Sequence, residues 1–347
     1  MTDGLPQKVD RGRELLSRRD FLIGGALAGG SLILLPGLLE GAEKLFELKV
    51  ITSQLSQTVG FAHLPVGKKL GFYQKEGIDV QLVTSAGGGV TVRSLMVGGT
   101  PVGITAATAA VIAATKGEAI KIVAGDGAGV NIGWVVRGDS DLKSIRDVKG
   151  KKLGYSAPGS VSQFLVQKCV RDAGISLSDV QLVAVGGMAE QITALKTGII
   201  DAAMSAEPVV TRMEKEIRVL WWANEFVPEF QQAVVIATDE FIKSEPEILK
   251  GFLRAHGKAH EFLQTNPEEG ARIWAEEVKF SPDIAARGMR NHPKNYFSLK
   301  LTVKGLKALE EGMLEMKAID RKVEWGKIID QRFLDPKSRI NLSDLGS

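Results

Sequence analysis

The chain has 347 residues with a formal net charge of +3, and 44% of the residues are hydrophobic. This length predicts about two domains, and the composition is typical of a folded globular protein. No long basic block is present, which argues against a nucleic-acid partner. The single cysteine, Cys169, excludes an intramolecular disulfide and a multi-cysteine metal site.

The first predicted element is an uncharged segment, residues 21–39, that overlaps the sequence SRRDFL at 17–22. SRRDFL resembles the twin-arginine export signal, and the glycines and the proline of the segment make it weakly hydrophobic for a permanent membrane anchor. We therefore assign residues 1–44 to an export signal, which implies the twin-arginine translocase as a partner during export and a periplasmic location. No clear cleavage site follows, so an uncleaved signal that anchors the protein is the alternative.

Alternating strands and helices follow the signal. The first set is predicted as strand 46–53, helix 63–77, strand 78–85, helix 90–97, strand 102–106, helix 107–116 and strand 120–124. The second set is predicted as strand 152–155, helix 160–173, strand 180–185, helix 188–197 and strand 201–205. Beyond residue 241 the pattern is almost wholly helical. This alternation predicts an α/β fold with largely parallel sheets covered by helices.

Several stretches have the composition of enzyme motifs but lack their context. AGDGAG at 124–129 is similar to a dinucleotide fingerprint, yet a strand pattern follows it where that motif requires a helix. SAGGGVTVRS at 85–94 lacks the Gly-Lys-Ser/Thr of a nucleotide-triphosphate loop, and no Gly-x-Ser-x-Gly occurs. We therefore expect no cofactor and no enzymatic activity.

Two histidines and the cysteine are the remaining candidates for site chemistry. His256 and His260 lie four residues apart, as zinc ligands on one helix face often do. Because Gly-Lys-Ala separates them on a charged helix, a solvated pair and no metal site are expected. Cys169 lies in an apolar helix, where we expect it to pack in the core and not to act as a nucleophile.

Four motifs occur in the order of one protein family. They are LGFYQKEGIDVQL at 70–82, LMVGGTPVGIT at 95–105, DLKSIRDVKGKKLGYSAPGS at 141–160 and ALKTGIIDAAMSAEP at 194–208. Together they resemble the periplasmic substrate-binding proteins of ABC importers for nitrate, sulfonates, taurine and thiamine-precursor pyrimidines, the NMT1/THI5-like family. Pro101 stands where the family has aspartate.

The resemblance implies a two-lobed periplasmic-binding-protein fold of type II, with parallel-rich sheets flanked by helices and a ligand cleft between the lobes. Lobe 1 is expected to comprise residues 45–136 and 237–347, and lobe 2 residues 137–236. The implied function is capture of a small organic molecule, either a sulfonate, taurine or nitrate-like anion or a pyrimidine-like compound. The ligand would then be delivered to an ABC permease and its ATPase.

The candidate ligand contacts are the residues just after each strand, because ligands of open α/β sheets bind beyond the carboxyl ends of the strands. We expect Thr105 to donate a hydrogen bond, and Ser160 to offer its hydroxyl and backbone N–H. Glu207 either accepts a hydrogen bond from the ligand or caps its own helix. The complete set is Ser53, Gln54, Gln57, Ser85, Gly87, Thr105, Ala106, Ser160, Val161, Met188 and Glu207. These loops lack Lys and Arg, but helix N-termini can hold anions, so the charge of the ligand stays open.

Two other functions remain open from the sequence. An uncleaved signal would suit a membrane-tethered solute sensor. A pyrimidine synthase on the same fold is less favoured, because the yeast-type enzyme has a cysteine-rich stretch and a sacrificial histidine. This chain has one cysteine, and Ala109 stands near the position of that histidine.

The twin-arginine assignment predicts that replacing both Arg18 and Arg19 with lysine stops export. Lysine keeps the charge but removes the paired guanidinium groups of the motif. Fractionation of cells expressing each form measures the outcome, and unchanged periplasmic accumulation of the double variant would contradict it.

Overall fold

The computed structural model describes residues 44–53, 58–85 and 87–346. The apolar segment 21–39 and the candidates Gln54 and Gln57 lie outside the described residues. Within the described ranges, no helix combines the length and the apolar character that crossing a membrane requires.

Ten strands lie in the described residues. In chain order they are β1 (Phe46–Ser53), β2 (Ile78–Ser85), β3 (Val102–Ala106), β4 (Ile120–Ala128), β5 (Gly133–Arg137), β6 (Lys152–Tyr155), β7 (Gln181–Ala184), β8 (Ala203–Ser205), β9 (Ile217–Trp222) and β10 (Gln231–Thr238).

Twelve α-helices accompany them in the same ranges of the chain. They are α1 (His63–Lys69), α2 (Gly88–Met96), α3 (Ala107–Thr115), α4 (Val161–Asp172), α5 (Met188–Lys196), α6 (Val209–Arg212), α7 (Asp239–Ser244), α8 (Pro246–Thr265), α9 (Pro267–Val278), α10 (Pro282–Asn291), α11 (Val303–Glu315) and α12 (Trp325–Ile328).

The first sheet has the order β2-β1-β3-β10-β4. Strands β1, β2 and β3 are parallel, and β10 runs antiparallel to both of its neighbours. Leu48 and Val50 of β1 have no exposed surface, whereas Glu47 and Lys49 between them are exposed. This alternation of buried and exposed residues is the period of two that predicted the strand.

The second set of strands repeats the topology of the first. β6 pairs with β7 in parallel, and a parallel bridge joins Leu153 of β6 to Ala202, next to β8. β5 lies antiparallel between β8 and β9. The resulting order, β7-β6-β8-β5-β9, again places one antiparallel strand between the third and fourth strands of the unit. The α/β class with parallel-rich sheets is therefore confirmed, with two antiparallel strands added.

The two antiparallel strands follow the connections between the sheets. The chain leaves β4 in the first sheet and enters β5 in the second through residues 129–132, and it returns from β9 to β10 through residues 223–230. The first residues of β5, before position 137, belong to the second sheet, and residues 231–236 of β10 belong to the first. The division into lobes at 136 and 236 stays a prediction.

The stretch AGDGAG does not form a nucleotide loop, because β4 continues through it to Ala128. Its glycines allow the segment 296–300 to approach closely. A Cβ at Gly125 would lie 2.8 Å from the carbonyl oxygen of Lys300, and one at Gly127 would lie 2.4 Å from the ring of Tyr296. The predicted strand 120–124 was therefore too short, since packing against a distant segment overrides the low strand propensity of glycine.

Aromatic side chains fill much of the core. Trp134 of β5 stacks on Trp221 of β9 with ring centroids 5.2 Å apart, and Phe164 of α4 stacks on Phe230 at 5.0 Å. Cys169 has no exposed surface, which confirms that it packs in the core.

The contact between α11 and α4 depends on the absence of a side chain at Gly312. A Cβ there would lie 1.7 Å from Cε2 of the fully buried Phe164. We expect Gly312→Ala to lower the free energy of unfolding by about 1 to 3 kcal/mol, as overpacking does. Gly326→Ala in α12 is the control, because nothing lies within 4 Å of its Cβ position. That variant should be neutral or slightly stabilising in denaturant titrations, and equal stability of the two variants would contradict the packing argument.

Candidate functional site

A cavity of about 50 Å³ is lined by residues from both sheets. Gln232 of β10 belongs to the first sheet, and Met204 and Ser205 of β8 belong to the second. The complete lining is Thr58, Phe61, Asn131, Ile132, Met188, Met204, Ser205, Ala206, Gln232 and Tyr296. Apolar walls with a few amide and hydroxyl groups are typical of a small-molecule site.

A second cavity, of about 70 Å³, shares Asn131 with the first. Its lining is Val130, Asn131, Glu207, Trp222, Asn224, Asn291, His292 and Pro293. Val130 and Asn131 belong to the connection between β4 and β5, so both cavities lie beside a chain crossing between the sheets. We call the two cavities together the central cleft.

Asn131 is fixed by a reciprocal pair of hydrogen bonds with Gln232. The backbone N–H of Asn131 donates to Gln232 Oε1 at 2.9 Å, and Gln232 Nε2 donates to Asn131 Oδ1 at 2.6 Å. Asn131 Nδ2 lies 3.1 Å from His292 Nε2. Burial lowers the pKa of His292 to about 3, so its ring is neutral at pH 7 and Nε2 accepts this bond. The network positions an amide in the wall of both cavities.

Ser205 differs from these residues because its hydroxyl has no hydrogen-bond partner among the described residues. Its side chain is fully buried and lines the smaller cavity. A buried hydroxyl without a partner costs free energy, so such groups in native proteins normally bind water or a ligand.

Glu207 connects two helices through its carboxylate. Oε2 accepts a hydrogen bond from the backbone N–H of Thr211 in α6 at 3.2 Å, and Oε1 accepts from Asn291 Nδ2 of α10 at 3.0 Å. The carboxylate therefore acts as a cap for α6, the second of the two roles expected for it. Glu207 also lines the larger cavity, and contact with a ligand stays a prediction.

Four of the predicted contacts cluster at the carboxyl ends of β2 and β3. Ser85 Oγ lies 2.6 Å from Thr91 Oγ1, and Gly87 is the N-cap of α2 with φ of 136°. Thr105 Oγ1 donates to the carbonyl oxygen of Gly88 at 3.1 Å. Since a threonine hydroxyl has one proton, this donor is already used within the protein. Ala106 is the N-cap of α3, and Ser53 ends the neighbouring strand β1.

A second group of predicted contacts begins α4. Ser160 is the N-cap, and its Oγ accepts from the backbone N–H of Gln163 at 3.2 Å, while Val161 is the first helical residue. Ser160 Oγ also lies 3.0 Å from Ser162 Oγ. Neither Ser160 nor Val161 lines the central cleft.

Sequence reasoning thus placed Met188 and Glu207 on the central cleft and missed most of its other lining residues. Asn131 lies in the connection before β5 and Gln232 is the second residue of β10, whereas the predicted contacts lie at the carboxyl ends of strands. A polar residue inside the apolar run VNIGWVV was the available signal for Asn131.

The expectation of a solvated histidine pair is wrong. His256 has no exposed surface and His260 has 3%, because both lie on the face of α8 that also carries Leu249, Phe252 and Leu263. His63, the first residue of α1, is also fully buried. All three imidazoles point at the buried carboxylate of Asp126.

The sequence of the chain is similar to a family model and to several named proteins. The family model described as "NMT1/THI5 like" matches residues 59–270. The chain is 29% identical over 209 residues to a Haemophilus influenzae protein named for thiamine biosynthesis, covering 59% of this chain and 61% of that protein. It is 24% identical over 218 residues to the formylaminopyrimidine-binding protein of Halalkalibacterium halodurans, covering 58% and 62%. The chain therefore spans less than two thirds of the length of these two relatives.

Among solved structures, the alkanesulfonate-binding protein SsuA of Xanthomonas axonopodis pv. citri superposes with a TM-score of 0.71 at 15% identity. The match covers 82% of this chain and 98% of that one. At this identity the likeness concerns the fold, and it confirms the periplasmic-binding-protein fold that the motifs implied.

The contacts of Glu207 predict a structural cost for its removal. Glu207→Ala leaves the Thr211 N–H without its acceptor, and hydrogen bonds to charged groups contribute about 1.5 to 3 kcal/mol to stability. We expect a loss of that size in denaturant titrations. The control is Glu214→Gln, which removes an exposed ion pair with Arg287 of the same helix α10 and should change stability little. Full stability of Glu207→Ala would show that the carboxylate does not cap α6.

Proposed function

Because the chain belongs to the NMT1/THI5-like family, we propose that it is a solute-binding protein that captures a small organic molecule in the central cleft. The observation that carries this proposal is the lining of the cleft by both sheets beside the two crossing connections. A ligand there contacts both sheets at once. Such a ligand favours the arrangement in which the walls are close, through contacts that a more open arrangement lacks.

The lining favours a neutral or weakly basic ligand over an anion. Among the described residues that line the cleft, none is Lys or Arg, His292 is neutral, and Glu207 is an acid. Asn131, Gln232 and Ser205 can donate or accept hydrogen bonds. Amide groups of this kind suit the ring nitrogens and amino groups of a pyrimidine-like compound, and the Halalkalibacterium relative is named for such a ligand.

The size of the cleft implies that its walls move. Cavities of about 50 and 70 Å³ are smaller than the roughly 300 Å³ or more of pockets that hold organic ligands. Entry of a solute therefore requires the walls to part, and the connections 129–132 and 223–230 are where a hinge would act.

Delivery to an ABC permease and its ATPase completes the proposed role, with export through the twin-arginine route to the periplasm. Relatives that bind solutes support a protein without turnover, and a single cysteine argues against the yeast-type synthase. When the protein is incubated with a bound pyrimidine, the pyrimidine should be recovered chemically unchanged. Formation of a modified product would contradict this proposal, and retention in the membrane fraction would favour the tethered sensor.

Ser205 offers a test of the binding site that is separate from folding. Its hydroxyl makes no hydrogen bond among the described residues, so Ser205→Ala should keep the melting temperature or raise it. Loss of one neutral hydrogen bond to a ligand should weaken binding by about 2- to 12-fold, corresponding to about 0.5 to 1.5 kcal/mol. Calorimetric titration with formylaminopyrimidine, and with an anionic alkanesulfonate and zwitterionic taurine as competitors, measures both affinity and ligand class.

The matched control is Thr302→Val, which removes another hydroxyl without a hydrogen-bond partner, outside the lining of the cleft. This variant should bind as the unaltered protein does. Equal affinity of Ser205→Ala and the unaltered protein would place the ligand elsewhere, and tighter binding of the sulfonates would contradict the neutral ligand class.

A further inference from the structure

His63, Asp126, His256 and His260 form a cluster of buried side chains outside the lining of the central cleft. Its four side chains come from α1, β4 and α8, and each is at most 3% exposed. The Nε2 atoms of His63, His256 and His260 lie 3.1, 2.7 and 3.3 Å from the same oxygen, Asp126 Oδ1. Side chains from three distant parts of the sequence, around residues 63, 126 and 256–260, thus meet at one point in the interior.

Hydrogen bonding inside the protein does not satisfy this cluster. His256 Nε2 is bonded to Asp126, but His63 Nε2, His260 Nε2 and Asp126 Oδ2 have no hydrogen-bond partner among the described residues. One carboxylate oxygen cannot accept good hydrogen bonds from three imidazoles, since it has two lone pairs. Buried polar atoms without partners are rare in native proteins and indicate a missing water or ion.

The geometry fits a cation better than it fits hydrogen bonds. Zinc binds histidine nitrogen and carboxylate oxygen at about 2.0 to 2.2 Å in a tetrahedron, which separates the ligand atoms by about 3.3 Å. Two of the nitrogen-to-oxygen distances, 3.1 Å for His63 and 3.3 Å for His260, are close to this value, and the third, for His256, is shorter at 2.7 Å. All four ligand atoms lie within 4.8 Å of one another. A divalent ion would also balance the charge of a carboxylate that has no Lys or Arg paired with it in the described structure.

A hydrogen bond from a residue outside the cluster orients the ring of His256. Tyr73 is fully buried, and its hydroxyl lies 3.0 Å from His256 Nδ1. This contact fixes the ring so that Nε2 faces Asp126. Metal-bound histidines normally use their second nitrogen in this way.

We propose that His63, Asp126, His256 and His260 bind a divalent transition-metal ion, zinc by the chemistry of the ligand set. Three imidazoles and one carboxylate are borderline ligands that suit zinc and not calcium or magnesium. Because four protein ligands complete a tetrahedron in a site without solvent access, the ion has a structural role. It joins α1 and α8 to β4, next to the turn Val59–Phe61 whose last residue lines the cleft.

Zinc binding to the purified protein tests the proposal without any organic ligand, so it is independent of the proposed function. The protein is purified through a tag without histidine, stripped with a chelator, incubated with zinc and desalted. We expect one equivalent of zinc by elemental analysis, and a rise in melting temperature that saturates at one equivalent. Substitution with cobalt(II) should give the strong visible absorption of a tetrahedral site. Less than a tenth of an equivalent of zinc, or an octahedral cobalt spectrum, would overturn the proposal.

Variants distinguish this site from adventitious surface binding. His256→Gln and His260→Gln should each weaken zinc binding by more than the roughly 10- to 100-fold typical of losing an outer hydrogen bond, and Tyr73→Phe by about 10- to 100-fold. The control is His292→Gln, which alters the fourth buried histidine of the chain and should retain one equivalent. Unchanged zinc affinity in both ligand variants would overturn the assignment. If those two do not fold, the Tyr73→Phe affinity and the cobalt spectrum of the unaltered protein decide it.

Discussion

The carboxylate of Asp126 is the constraint on which the packing of the first sheet depends. It is fully buried on β4, where an unbalanced charge would cost several kcal/mol, so positive charge must come from the side chains around it or from a bound ion. Burial would raise the pKa of Asp126, but the surrounding imidazoles, His63 first, lower it well below its ordinary value. The carboxylate is therefore ionised, and α1 and α8 must stay close enough to present their histidines. The glycines on both sides of Asp126 allow the segment 296–300 to cover β4 from outside.

Much of the fold could be predicted because local signals agree with the tertiary structure. The bounds of β1, β2, β3 and β6 match the prediction, since each is an alternating or β-rich run. The strands that adjoin the connections between the sheets, β5, β9 and β10, were harder to predict. β9 was not predicted, and the antiparallel direction of β5 and β10 has no local signature, because it follows from how the chain passes between the sheets. Direction of pairing is a tertiary property that periodicity does not encode.

The candidate site was less predictable because its residues converge from distant parts of the sequence. Asn131, Gln232 and His292 form one hydrogen-bond network across more than 100 positions in the chain. The burial of His256 and His260 was not predicted, because α8 carries charged residues as well as its apolar stripe. Their spacing from Leu249 and Leu253 already placed them near the apolar stripe of the helix, where side chains are buried. The partners His63 and Asp126 could not be found from any local pattern.

The polar groups of the central cleft differ in whether they already make hydrogen bonds within the protein. This difference affects which ligands the cleft can bind. Asn131 and Gln232 satisfy each other, and Glu207 holds Thr211 and Asn291, so these groups keep fixed positions. Fixed groups cost little ordering entropy when a ligand binds, because their rotamers are already set. Ser205 differs from these residues, because its hydroxyl has no partner in the described structure. A ligand that supplies the missing hydrogen bond removes a cost the unliganded protein carries, whereas one that cannot reach it leaves that cost in place. Discrimination between solutes of similar size should therefore depend on Ser205 more than on the rigid amides that frame the cleft.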